Sequence, residues 1–222
     1  MNLKKIFSAL KKSSNAYAVP NEFRLTDIIG EDDLLANRKL TAASYSLTWQ
    51  NPPQSALVFM AFPYGLNGGG LRTIITQMES MSARWGLKNY ICFYPRYKQS
   101  PKNLKLQETL KENMRREFPL LNFEIIPYSD NFDDYPEVDI ALCNWWLTAF
   151  PLAKFRKCRQ KYYLLQDFEP CFSQAGSTYA VTEESYRFGF IGLANSSALA
   201  GLYRSYAVSY THLRAHETLR HL

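Results

Sequence analysis

Two short stretches concentrate the residues with chemical capacity. The first is FMAFPYGLNGGGLRTI, residues 59–74, in which a continuous apolar run meets Gly65, Gly68, Gly69 and Gly70 and a helical pattern opens at once. Glycines let a backbone approach an anion closely, and a helix N-terminus offers unpaired N–H groups with partial positive charge. Arg72, in the first turn, adds a charged donor. This arrangement suits a phosphate, and it equally suits a tight strand–helix turn that binds nothing. Two nucleotide loops are disfavoured. Leu66 and Asn67 break the G-x-G-x-x-G spacing, and Leu71 and Arg72 stand where a P-loop needs Lys and Ser or Thr.

The second stretch is YYLLQDFEPCF, residues 162–172. A strand delivers Gln166, Asp167 and Glu169 at its carboxyl end, where a parallel sheet presents functional groups. Carboxylates and amides bind hydroxyls, and a sugar transfer with inversion needs a general base. Residues 1–207 contain no histidine, so Asp167 and Glu169 are the candidates for that base. The competing reading has these acids capping the next turn or pairing with Arg187. Further on, Glu183, Tyr186 and Arg187 fall near the same sheet end, although helix-face and core roles suit them as well. Trp145 and Trp146 could stack on a sugar, but a Trp pair beside an apolar strand also fits a core. Asn195 and Ser196 end a strand and suit a helix cap.

The elements that must carry these groups are legible as an alternation. Apolar runs of strand length occupy 55–62, 89–95, 123–129, 138–146, 161–168 and 190–196. Helical periodicity fills the gaps. Leu71, Ile74, Ile75, Met78, Met81 and Trp85 share one face, Leu106, Leu110, Met114 and Phe118 another, and further helices are expected at 147–158, around 178–188 and from Ser197. The pattern predicts an α/β fold with a Rossmann-like parallel sheet and helices on both faces. Residues 1–50 read as a basic N-terminal helix and an extension with a helix after Gly30. Residues 51–207 form the main domain, starting at the Asn51-Pro52-Pro53 breaker.

The net charge of +6 is concentrated at the N-terminus. Lys4, Lys5, Lys11 and Lys12 supply four of these charges, and residues 208–222 supply one, which leaves the main domain near +1. A nucleic-acid partner is therefore not expected. Leu3, Ile6, Phe7 and Leu10 form an apolar stripe among those lysines, read either as an interfacial helix on anionic lipid or as an ordinary basic terminus. No apolar run reaches the roughly 18–20 residues that span a bilayer. With no secretory signal pattern either, the expected location is cytoplasmic, peripheral at the inner membrane face if the helix binds lipid. Cys92, Cys143, Cys158 and Cys171 lack C-x-x-C pairing, so no metal site is expected and the thiols are read as reduced packing residues.

Residues 208–218, VSYTHLRAHET, look like a translated sequencing-library adapter, and all three histidines lie in the last 15 residues. Such a tail carries no information about the fold. The natural chain is expected to continue beyond Ala207.

Taken together, FPYGLNGGGLRTI, YYLLQDFEPCF and SYRFGFIGLANS resemble, in order and spacing, the N-terminal domain of WsaF-type rhamnosyltransferases, which belong to glycosyltransferase family 4. The resemblance spans roughly residues 20–207. It implies a GT-B fold of two facing Rossmann-like domains, of which this chain holds the acceptor-side half and lacks the C-terminal donor domain. It implies that Gly68, Gly69, Gly70 and Arg72 face the diphosphate of a nucleotide-sugar such as dTDP-L-rhamnose, with no metal or other cofactor. Gln166, Tyr186 and Arg187 are then expected on the glycan acceptor, with Asp167 and Glu169 as the catalytic candidates. The alternative is a non-catalytic α/β module that binds a glycan or a nucleotide.

Overall fold

The computed structural model describes residues 29–46, 49–61, 66, 68–94 and 104–207. The expected helix at 1–12, Gly65 and the tail at 208–222 lie outside these residues. Six strands form one sheet: β1 Ser55–Ala61, β2 Lys88–Tyr94, β3 Phe123–Ile126, β4 Val138–Cys143, β5 Cys158–Leu165 and β6 Ile191–Ala194. Every pairing is parallel, and the order is β3-β2-β1-β4-β5-β6. This is the Rossmann-like α/β sheet that the alternation predicts, with its strand order reversing between β1 and β4.

The continuous apolar run of β1 has a direct structural cause. Ala56 through Met60 are wholly buried because both faces of the strand are covered. Leu57 and Phe59 enter one core cluster, while Ala56, Val58 and Met60 enter the other. Each large side chain buried this way stabilises the fold by roughly 1.5–3 kcal/mol.

Among the described residues six helices flank the sheet: α1 Glu31–Ser46, α2 Gly69–Trp85, α3 Leu104–Glu117, α4 Trp146–Lys154, α5 Ser177–Ser185 and α6 Ser197–Ala207. On α2 the predicted stripe is real. Ile74, Ile75 and Met78 are buried, and Leu71, Met81 and Trp85 pack half-exposed at its edges. Gly86 ends the helix in the left-handed region (φ 70°), returning its N–H to the Ser82 carbonyl, a conformation glycine adopts without steric cost. Leu110, Met114 and Phe118 cover the same side of the sheet from α3.

The opposite side carries α1, α4, α5 and α6. Trp146 through Ala153 are all buried, so α4 is apolar around its whole circumference. The sequence pattern extends this helix to residue 158, but it ends at Lys154. Phe155 turns extended into the core, and Cys158 already pairs with Val138.

α1 docks through buried polar contacts. Asn37 donates to the Ala153 carbonyl at 3.2 Å, and Thr41 donates to the Gly189 carbonyl. Gly189 (φ 84°) permits this approach, because a Cβ there would lie 3.2 Å from Cγ of Arg38. Lys161 of β5, 2% exposed, donates to Asn37 Oδ1 at 2.6 Å and to the Ala153 carbonyl at 3.1 Å. Burial pulls its ammonium down to about 8.

Among the described residues, helices cover the α2 side only over part of the sheet. Beside α2 an apolar trough of about 490 Å³ remains, lined by Trp49, Met81, Trp85, Leu142, Tyr162 and Leu193 among others. The four cysteines are free, with Cys92 and Cys143 buried.

Candidate functional site

The carboxyl ends of β1, β4, β5 and β6 meet the N-termini of α2 and α4 at the point where the strand order reverses. Open α/β sheets bind ligands in this crevice. Gly68 caps α2 with extended backbone, and its carbonyl accepts from the Arg72 N–H at 2.9 Å. Gly68 itself has no side chain with which to cap this helix end. Gly68, Gly69 and Gly70 are exposed, and among the described residues no side chain bonds the first-turn N–H groups, which a helix leaves without intrahelical partners.

The two stretches singled out from the sequence touch each other here. Gln166, immediately after β5, donates from Nε2 to the Gly70 carbonyl at 2.7 Å. A Cβ on Gly70 would fall 2.3 Å from Gln166 Oε1, whereas one on Gly69 would meet nothing within 4 Å. The glycine at position 70 thus makes room for the Gln166 amide in its observed place, and that at 69 is not required by packing. From behind, Asn195 donates its Nδ2 to the Gln166 carbonyl at 2.8 Å.

The two carboxylates are placed very differently. Asp167 is exposed. Glu169 opens a short 3-10 turn, and its Oε2 accepts from the Trp146 N–H at 2.6 Å and the Tyr163 hydroxyl at 3.0 Å. It thus caps α4, a helix 23 residues upstream in the chain. Burial pushes its carboxyl up to about 8, the two donors pull it back, and Asp167 nearby raises it further. At neutral pH Glu169 holds its proton. The alternative pairing of these acids with Arg187 is not formed. Arg187 reaches Glu184 at 2.8 Å and Glu183 at 3.5 Å on α5, and it lies over the Tyr206 ring.

Tyr186 is wholly buried. Its hydroxyl accepts from the Glu169 N–H at 3.1 Å and donates to the Asp167 carbonyl at 3.2 Å. It thereby fixes the turn that carries both acids. Tyr163, Phe168, Tyr203 and Tyr206 surround its ring. Arg72 leaves the crevice. It pairs with Glu117 at 2.8 Å and lies over the Phe118 ring. Trp146 belongs to the core, and Trp145 packs edge-on against it, half-exposed. Ser196 caps α6 by accepting from the Leu199 N–H, while Asn195 turns instead to Gln166.

Sequence reasoning passed over Asn144. It follows β4 at the reversal point, and its Oδ1 is buried without a hydrogen-bond partner among the described residues. A signal for it exists. Leu142-x-Asn144, Leu164-x-Gln166 and Leu193-x-Asn195 are three repeats of one pattern at three strand ends.

No protein-family model matches the chain. Over 64 residues it is 34% identical to the O-antigen biosynthesis protein RfbC of Myxococcus xanthus, a stretch that covers 29% of this chain and 5% of that protein. The chain thus spans a small fraction of the length of the curated relative it matches.

Proposed function

We propose that this chain is the acceptor-side portion of a glycosyltransferase that builds a cell-surface polysaccharide. The observation that carries the reading is the stretch shared with a protein named for O-antigen biosynthesis. The fold supports it. A 3-2-1-4-5-6 parallel sheet with a glycine-flanked helix end at its reversal point is a frame on which nucleotide ligands bind.

In the finer form of the proposal the protein has a GT-B architecture and transfers L-rhamnose from dTDP-L-rhamnose. A second Rossmann-like domain binds the donor, and the open N–H groups at Gly69 and Gly70 meet its diphosphate. For a transfer with inversion Asp167 is the general base, because its carboxyl is exposed whereas Glu169 retains its proton and is bonded into the fold. Glu169 and Tyr186 are positioning residues that hold the turn. Arg72 reaches the donor only by exchanging its Glu117 partner.

The test uses the intact protein encoded at the source locus beside the 222-residue chain. Each is incubated with a panel of nucleotide-sugars and with cell-surface glycan extracted from the source cells as acceptor, and release of nucleoside diphosphate is measured. Turnover by the intact protein, reduced at least tenfold by Asp167→Asn, is the expected result. A source gene that ends near Ala207, or an intact protein inert toward every donor, would sink the transferase reading in favour of a binding module.

No helix among the described residues is long and apolar enough to cross a membrane. Peripheral attachment through residues 1–12 is a separate part of the proposal.

A further inference from the structure

Three adjacent strands end on a carboxamide, and all three carboxamides fall on one face of the sheet. Side chains alternate between faces along a strand. Asn144 follows Ile140 and Leu142, Gln166 follows Tyr162 and Leu164, and Asn195 follows Leu193, all of them residues of the α2-side core. The contact of Gln166 with Gly70 of α2 confirms the side. The register sets their heights. Leu165 pairs with Ala194, which makes Gln166 and Asn195 level. Cys143 pairs with Tyr163, which puts Asn144 one pleat lower. Neighbouring strands are about 4.8 Å apart, so the three amides form a stepped ledge at the mouth of the crevice. Leu142 and Leu193, two residues before Asn144 and Asn195 on the same face, line the apolar trough.

The hydrogen-bond inventory defines what this ledge lacks. Gln166 is held at both ends, by Gly70 through its Nε2 and by Asn195 through its carbonyl. Its side chain spans from β5 to the first turn of α2, and Asn144 stands on the intervening strand β4. Asn144 Oδ1 is buried with no donor among the described residues. Such a group is costly to leave unmade, and it must be met by an O–H or N–H. The diphosphate of a nucleotide-sugar is fully ionised at neutral pH, so its oxygens accept and do not donate, and it cannot satisfy this acceptor. The nearby arginines do not favour an anion either, since Arg72 and Arg187 are both tied to acids. A sugar ring fits this chemistry. Its hydroxyls donate and accept at once, and its C–H faces suit an apolar floor.

We propose that Asn144, Gln166 and Asn195 form a neutral carboxamide ledge that binds the hydroxyls of a sugar, with one hydroxyl donating to Asn144 Oδ1. Binding displaces the Gln166 amide from the Gly70 carbonyl, which opens the first turn of α2 as the sugar enters. The inference rests on the glycan-transfer reading and assigns the sugar-contacting groups within that site.

The test is a titration of the ¹⁵N-labelled 222-residue chain, following side-chain NH2 signals by NMR. The signals are assigned by their loss in Asn144→Leu, Gln166→Ala and Asn195→Ala. The probes are methyl α-L-rhamnoside and N-acetylglucosamine, with thymidine and inorganic pyrophosphate as separate arms. Saturable shifts of the three amides with a sugar are expected at millimolar concentration. Asn144→Leu is expected to weaken that binding about tenfold, the loss of one hydrogen bond. The same variant should raise Tm by roughly 2–4 °C, because it removes an orphaned polar group. Gln166→Ala supplies an independent variant at an exposed contact.

Three results overturn the ledge: shifts of these amides with thymidine or pyrophosphate alone, sugar binding indifferent to both variants, or no shift with either sugar. Sugar shifts confined to other residues also overturn it and leave the glycan-transfer reading standing. An intact protein without transfer, but with the expected sugar shifts, sinks the transfer reading alone.

Discussion

Gly69 and Gly70 are neighbours in one helical turn, yet they tolerate a side chain differently. Position 69 is open, whereas a Cβ at 70 collides with the Gln166 amide. Gly69→Val is therefore expected to leave Tm within about 2 °C of wild type while transfer by the intact protein collapses, because the branched side chain would cover the open N–H groups. Unchanged transfer would remove this turn from the site. Gly70→Ala should release the Gln166 amide, seen as a shift of its NH2 signal, with only a small change in stability. The alanine gains about 1 kcal/mol of helix propensity, and this offsets a hydrogen bond of similar worth. Glu169 makes a second prediction at this scale, one of pH. Its folded carboxyl titrates near 8, well above an ordinary glutamic acid. The folded state therefore binds more protons than the unfolded state between those two values. Stability must fall as pH rises through that window, by on the order of 2–3 kcal/mol once partial solvent screening is allowed for. Glu169→Gln keeps an acceptor for the Trp146 N–H and the Tyr163 hydroxyl without the charge. Urea unfolding at pH 5 and pH 8 should show a decline in wild type and a flatter line in Glu169→Gln. Parallel declines would mean that another group carries the titration.

At the scale of elements, α1 depends on a polar anchor rather than an apolar stripe. Asn37 serves it twice, donating to the Ala153 carbonyl and accepting from Lys161. Asn37→Ala removes both bonds and leaves the lysine with one acceptor. It should cost about 2–3 kcal/mol and speed amide exchange throughout α1; protection unchanged there would show that the helix is held by other contacts. The lysine itself has the opposite pH signature to Glu169. Its folded value near 8 lies below the ordinary value of 10.5, so the unfolded chain holds more protons in that interval and stability rises with pH across it. Lys161→Met should abolish the rise between pH 8 and 9.5, and a rise that survives in the variant would refute the assignment. Much of this architecture was legible in the sequence, because strands buried on both faces must be continuously apolar and their crossover helices must be striped. The end of α4 was not, since a helix that is apolar all round has no stripe whose end can be read. The site was legible where it is local: the glycines and QDFEP fall at strand ends and do meet, through Gln166 and Gly70. What required the fold was adjacency. Arg72 is 45 residues from the Glu117 that claims it, and period-two counting shows that three amides share a face without showing that β4, β5 and β6 lie side by side.

At the scale of the whole molecule, the distribution of charge matters more than its sum. Four of the six net positive charges lie at Lys4, Lys5, Lys11 and Lys12, interleaved with Leu3, Ile6, Phe7 and Leu10. On the folded domain the charges are largely matched, as in the pairs Arg72–Glu117, Lys88–Glu124 and Arg156–Asp33. Any attraction to an anionic surface should therefore be carried by the first twelve residues. Each basic residue close to anionic lipid contributes about 1 kcal/mol, and the effect fades within a Debye length of about 10 Å at 0.1 M salt. Insertion of four apolar side chains would add a component that salt does not screen. Flotation of the chain with phosphatidylserine-containing vesicles should thus exceed flotation with phosphatidylcholine alone. It should weaken at high salt without vanishing and should be lost when residues 1–12 are removed. Equal flotation of the full and shortened chains would mean that the folded domain binds the vesicles and that the N-terminus is an ordinary solvated end. Lys4, Lys5, Lys11 and Lys12 changed together to Gln separate the two components, since this variant retains the apolar stripe and should lose only the salt-sensitive part.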